Sequence, residues 1–77
     1  MIYVNQTEDK LYVKALTDQA KKLNVTNMLG QSVRTYNTTN NQTLENGIDI
    51  ANLNSGVYIV SIQTENNISI DKKIVIN

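Results

Sequence analysis

The stretch Val57-Tyr58-Ile59-Val60-Ser61-Ile62-Gln63-Thr64 decides the fold class. Tyr58, Val60 and Ile62 fall on one side and Val57 and Ile59 on the other, a period of two that a strand has and a helix lacks. Apolar residues on both sides at its start indicate a strand in the middle of a sheet. On its N-terminal side, Leu53-Asn54-Ser55-Gly56 reads as a turn; on its C-terminal side, Glu65-Asn66-Asn67 reads as a hairpin loop. Beyond that loop Ile68, Ile70, Ile74 and Ile76 alternate with Ser69, Asp71, Lys73 and Asn77. Lys72 interrupts the apolar row, which points to a bulge or an exposed edge near Asp71-Lys72-Lys73.

The same period recurs toward the N-terminus. Leu11, Val13 and Ala15 alternate with Lys10, Tyr12 and Lys14, and Ile2-Tyr3-Val4 forms a short strand before them. Leu16 to Ala20 reads as a loop. Lys22 to Asn27 is a strand with Leu23 and Val25 on one face, and Ser32 to Tyr36 is its hairpin partner across Met28-Leu29-Gly30-Gln31. Asn37 to Gln42 is wholly polar and reads as a surface loop. Thr43 to Glu45 is expected to be extended, Asn46-Gly47 to turn, and Ile48-Asp49-Ile50 to form a short strand. Six or seven short strands with turns between them predict a small antiparallel β-sandwich, immunoglobulin-like in outline.

Composition bounds what such a domain can do. At 77 residues the chain is one domain, with roughly 60% of its unfolded surface available for burial. Seven Lys and Arg balance seven Asp and Glu, so neither nucleic acid nor an anionic membrane surface is an expected partner. With no His and no Cys, the usual general base, thiol nucleophile and zinc ligands are missing. No catalytic residue, metal or cofactor is therefore expected. No apolar run reaches the length of a membrane span, and Met1 to Gln6 lacks the form of a signal peptide. An exported chain of this kind is expected to be the tail of a longer protein whose upstream part starts the journey.

The remaining chemical signals are weak. Asn-x-Ser/Thr triplets at Asn5, Asn24, Asn37, Asn41 and Asn67 follow from the abundance of Asn and Thr. Glu8-Asp9 reads as a solvated turn rather than a Ca²⁺ site, and nothing in the sequence brings Asp49 and Asp71 together as a catalytic pair.

Three segments in order carry a resemblance: Leu23 to Val33 around Leu29-Gly30-Gln31, Ile48 to Ile62 around Leu53-Asn54-Ser55-Gly56-Val57-Tyr58, and the terminal Lys72-Lys73-Ile74-Val75-Ile76-Asn77. Together they resemble the type A C-terminal sorting domain of the type IX (Por) secretion system of Bacteroidota. The similarity runs from about Leu11 to Asn77. The family pattern usually has a Tyr-Pro-Asn-Pro-like motif before the first strand; Tyr3-Val4-Asn5-Gln6 stands there, without either proline.

On the residues themselves, Gly30 and Gly56 sit where the chain turns, and positive φ or close backbone approach suits them. Leu29 and Leu53 are expected to tuck under those turns as core plugs. Tyr58 is expected to bury its ring and find a partner for its hydroxyl. The resemblance implies that residues 1–77 are a single sorting domain, substrate and address rather than enzyme. It would carry a cargo through the periplasm to the type IX translocon and out to the cell surface or medium. A sortase-type protease commonly removes such a domain. Lys72, Lys73, Ile74, Val75, Ile76 and Asn77 are the expected recognition signal, read by strand addition. The rival expectation is an accessory sandwich that binds a glycan or a partner protein. A flat Ile-rich last strand also leaves open an edge-paired or strand-swapped dimer.

Overall fold

Among the described residues, seven strands and one short helix form two antiparallel sheets facing one core. The computed structural model describes residues 1–14, 16–37 and 40–77. The smaller sheet has the order β1 (Ile2–Asn5), β2 (Lys10–Val13) and β5 (Ile48–Asp49). The larger has the order β4 (Ser32–Asn37), β3 (Ala20–Asn27), β6 (Gly56–Thr64) and β7 (Ser69–Ile76). This is the small β-sandwich that the period-two pattern predicts. Ala15, expected to continue β2, lies outside the described residues, as do Thr38 and Thr39 of the expected polar loop.

The core collects the inward row of each strand. Leu11 and Val13 come from one sheet; Leu23, Val25, Tyr58, Val60, Ile62, Ile74 and Ile76 come from the other. Ile2, Ile48 and Ile50 close it from the small-sheet side. β6 lies between β3 and β7, as its two-sided apolar start indicates. Its inward side chains are buried along the whole strand, ending on Thr64, whose hydroxyl accepts from Ile68 N at 3.2 Å and bonds the Asp18 carboxylate at 3.4 Å. A buried hydroxyl with partners avoids the cost of an unmet polar group.

Several segments depart from the sequence reading: Ala20 and Asn37, expected in loops, belong to β3 and β4, and Asn41-Gln42 of the expected loop are helical. Thr43 to Glu45 is not extended but belongs to a one-turn helix, α1 (Asn41–Glu45). Asn40 caps it, its side chain accepting from Gln42 N at 2.8 Å. Its one buried residue is Leu44, and a single apolar position carries no period from which a helix could be read. Asn46-Gly47 makes the expected turn, and does so by ending this helix. Gly47 takes φ +99°, and a Cβ there would meet the Tyr12 ring at 2.8 Å, so both backbone and space demand glycine.

Candidate functional site

The C-terminal hairpin is built from its loop outward. Asn67 adopts φ +62°, which asparagine tolerates, and Thr64 exchanges backbone bonds across the loop with Ile68 and Asn67. Asn66 donates to the Asp18 carboxylate at 2.6 Å, tying the loop to the segment before β3. From there β7 runs against β6 in unbroken register, from Gln63↔Ser69 to Gly56↔Ile76. The bulge expected near Asp71-Lys72-Lys73 is therefore absent; the register shifts of this sheet fall in β3 instead. The other expectation for this segment, an exposed edge, is what the sheet order places there.

Along β7 the side chains divide sharply. Ile74 and Ile76 are buried, whereas Lys72, Lys73 and Asn77 are exposed and Val75 is 54% exposed. Lys72 shares the inward row with Ile70, Ile74 and Ile76, yet it reaches solvent. The small sheet, with strands of two to four residues, does not extend over the eight residues of β7. Ile70 is half-buried and Ile68 half-exposed for the same reason.

The backbone of β7 alternates as well. Val75 O and Asn77 N point away from β6, because both bond the Gln6 side chain: Gln6 Nε2 donates to Val75 O at 2.7 Å, and Asn77 N donates to Gln6 Oε1 at 3.2 Å. In an antiparallel ladder, groups two residues apart point the same way. The N–H and C=O of Asp71 and Lys73 therefore also face outward, and no described residue pairs with them.

The five motif residues in the turns behave differently from one another. Tyr58 is buried, and its hydroxyl donates to Asn54 O at 2.7 Å, supplying the partner the ring's burial requires. Leu53 is half-buried against the core. Leu29 is not a core plug; it is 84% exposed. Its turn is held instead by Asn27, whose side-chain oxygen accepts from Leu29 N at 2.9 Å and Gln31 N at 3.0 Å. Polar bonds at the base of the turn remove any need for an apolar plug. The signal for this was an Asn two residues before the Leu-Gly pair, the spacing of an Asx turn. Gly30 takes φ +84° with open space around it. Gly56 takes φ +158°, at the limit of the positive range that side chains rarely adopt, with only ordinary contact to the Tyr58 ring, so at both glycines the backbone rather than crowding meets the expectation.

Sequence reasoning also missed Asn24. Its side chain accepts from Ser32 Oγ at 2.5 Å and Thr35 Oγ1 at 2.9 Å, fastening the β3–β4 pair on the outer face of the larger sheet. Glu8, in the β1–β2 turn, accepts a hydrogen bond from Tyr12, and this bond holds the Tyr12 phenol above its ordinary value of 10.0. A groove of about 640 Å³ opens between the end of β4 and α1, lined by Tyr36, Asn37, Asn40 and Leu44 among others. Among the described residues, no three His, Cys, Asp or Glu side chains gather as a metal site, and no helix is long and apolar enough to cross a membrane.

The whole chain, residues 1–77, matches the family model of the secretion-system C-terminal sorting domain. No curated protein and no solved structure matches it. Domains of this family engage the type IX secretion machinery, and the family is one of sorting signals rather than catalysts. With an exposed terminal edge strand and a match over its full length, the chain belongs to the family of type IX C-terminal sorting domains, the signals that mark proteins for export across the outer membrane to the cell surface or the extracellular space.

Proposed function

We propose that this domain delivers its address through the outer side of β7, with Lys72, Lys73, Ile74, Val75, Ile76 and Asn77 as the recognition segment. The observation that carries the reading is the unpaired outward backbone of Asp71 and Lys73 on an edge strand. A strand supplied by the outer-membrane translocon adds to that edge; main-chain bonds give affinity and alternate side chains give specificity. The segment then has two jobs. Ile74 and Ile76 hold the strand in the core, and Lys72, Lys73 and Val75 are the groups a partner reads. Residues 1–77 act as one unit at the end of a longer secreted protein, carry out no chemistry themselves, and are cut from the cargo by a sortase-type protease. The same free edge is what a second copy would pair with, so the edge also governs any dimer.

The test is an export assay with a reporter fused ahead of the domain in a bacterium with type IX secretion. Deleting residues 72–77 would remove Ile74 and Ile76 from the core and confuse folding with recognition. Lys73→Pro is the cleaner variant. It deletes one outward N–H, and an edge strand tolerates proline on its solvent side. Lys73→Pro is expected to leave the reporter in the periplasm with the circular dichroism of the fold intact, while Lys73→Ala retains partial export. Wild-type export of a folded Lys73→Pro fusion would exclude strand addition at this edge.

A further inference from the structure

The outer side of β7 is open at Asp71 and Lys73 but not at its end. There one side chain, Gln6, from the turn after β1, bonds both Val75 O and Asn77 N across 69 and 71 positions of sequence. A carboxamide has the donor and acceptor of a peptide group. It can therefore occupy, without adding a strand, the two backbone groups that a strand would bond. Starting from the reading of β7 as the docking edge, we infer that the Gln6 carboxamide is a displaceable cap, holding the place of the partner strand on Val75 and Asn77 until the export machinery supplies one.

Three features fit a cap that yields. Gln6 is exposed, so water replaces its bonds when they break and the net cost of release is small. The cap covers only the last outward pair of the edge, and the free groups of Asp71 and Lys73 lie directly before it. An incoming strand can pair there first and then advance to Val75 and Asn77, exchanging one amide for another. The cap also sits where β1 of the small sheet approaches β7 of the larger, so its release loosens the seam between the two sheets on the side where the address lies. In the free domain the same bonds shorten the exposed edge, which limits pairing between copies.

The experiment uses the whole chain with Gln6→Ala and Gln6→Asn, the second keeping an amide but shortening its reach by one methylene. Amide hydrogen exchange at Asn77 reports the cap in the free protein. Binding is measured to outer-membrane vesicles from a type IX-competent bacterium and to vesicles from the same bacterium without the translocon. Both variants are expected to exchange the Asn77 amide faster and to bind translocon vesicles roughly tenfold tighter, as the loss of two competing hydrogen bonds implies. Thermal stability should fall slightly at the same time. A merely structural Gln6 would weaken binding as it weakened the fold, so tighter binding at lower stability is the signature of the cap. Unchanged exchange at Asn77 overturns the proposal. So does faster exchange with unchanged or weaker binding; if Lys73→Pro still abolishes binding in that case, the docking edge stands and only the cap falls. If Lys73→Pro binds as well as the unaltered chain, the docking edge itself fails and the cap with it.

Discussion

β6 and β7 are neighbours of similar length, and both alternate, yet their surroundings differ. β6 is held on both sides by β3 and β7, and its inward residues Tyr58, Val60, Ile62 and Thr64 are all buried. β7 has a strand neighbour on one side only. Its inward row is buried at Ile74 and Ile76, half-buried at Ile70 and solvent-exposed at Lys72. Identical periodicity thus yields a fully paired, buried strand where neighbours flank it on both sides, and a partly unpaired one at the edge of the sheet, with Lys72 reaching solvent. Under the proposed strand addition, the second kind is the one a receptor can use, because its outward groups are free to pair.

The largest effect that would sharpen this contrast is core truncation in β6. Ile62→Ala, at a fully buried site, is expected to cost about 2–5 kcal/mol. A chain of this length has a total stability of roughly 4–12 kcal/mol, so urea denaturation should show a large drop in midpoint. Next comes the split within β7. Ile76→Ala should cost about 2–4 kcal/mol, whereas Val75→Ala, one residue away and exposed, should stay within about 0.5 kcal/mol. Equal losses at Ile76 and Val75 would mean that β7 is not divided into an anchored and a presented face.

A smaller effect separates the two leucines of the turns. Leu53→Ala should destabilise by about 1 kcal/mol, while Leu29→Ala should be neutral within about 0.5 kcal/mol. Replacing Asn27 by Ala should instead loosen the turn around Leu29, since its side chain holds two of that turn's N–H groups. The resemblance treats Leu29 and Leu53 alike; differential scanning of the two variants would show whether they are.

The smallest expected effect is at Tyr12. Its phenol is raised by the hydrogen bond to Glu8, so the folded state favours the protonated ring. That contribution is fully present below the unfolded value near 10.0 and is lost as pH rises through the higher folded value. Tyr12→Phe should therefore remove that small contribution at neutral pH and abolish the shallow alkaline loss, so that the two chains converge in stability at high pH. A steeper alkaline loss in the variant would contradict the assignment.

Much of the site was legible because β-structure writes itself at short range. The central place of β6 and the buried Tyr58 follow from alternation and side-chain chemistry, while the interrupted row at Lys72 left a bulge and an exposed edge both open. The helix at Asn41–Glu45 was not legible, since one buried Leu44 leaves no pattern. Nor was the exposure of Leu29, because an apolar residue beside a glycine looks the same whether the turn leans over the core or away from it.

By itself, the sequence determined that this chain is a small antiparallel sandwich without the usual catalytic chemistry, and which residues of each strand face inward. Period, turn residues and the absence of His and Cys are local properties, and local properties survive in a one-dimensional string. Only the tertiary structure decided which strand lies at an edge, how far the small sheet covers it, and that Gln6 meets Val75 and Asn77. Those depend on how two sheets of unequal size pack, which brings together residues about seventy positions apart that no local pattern connects.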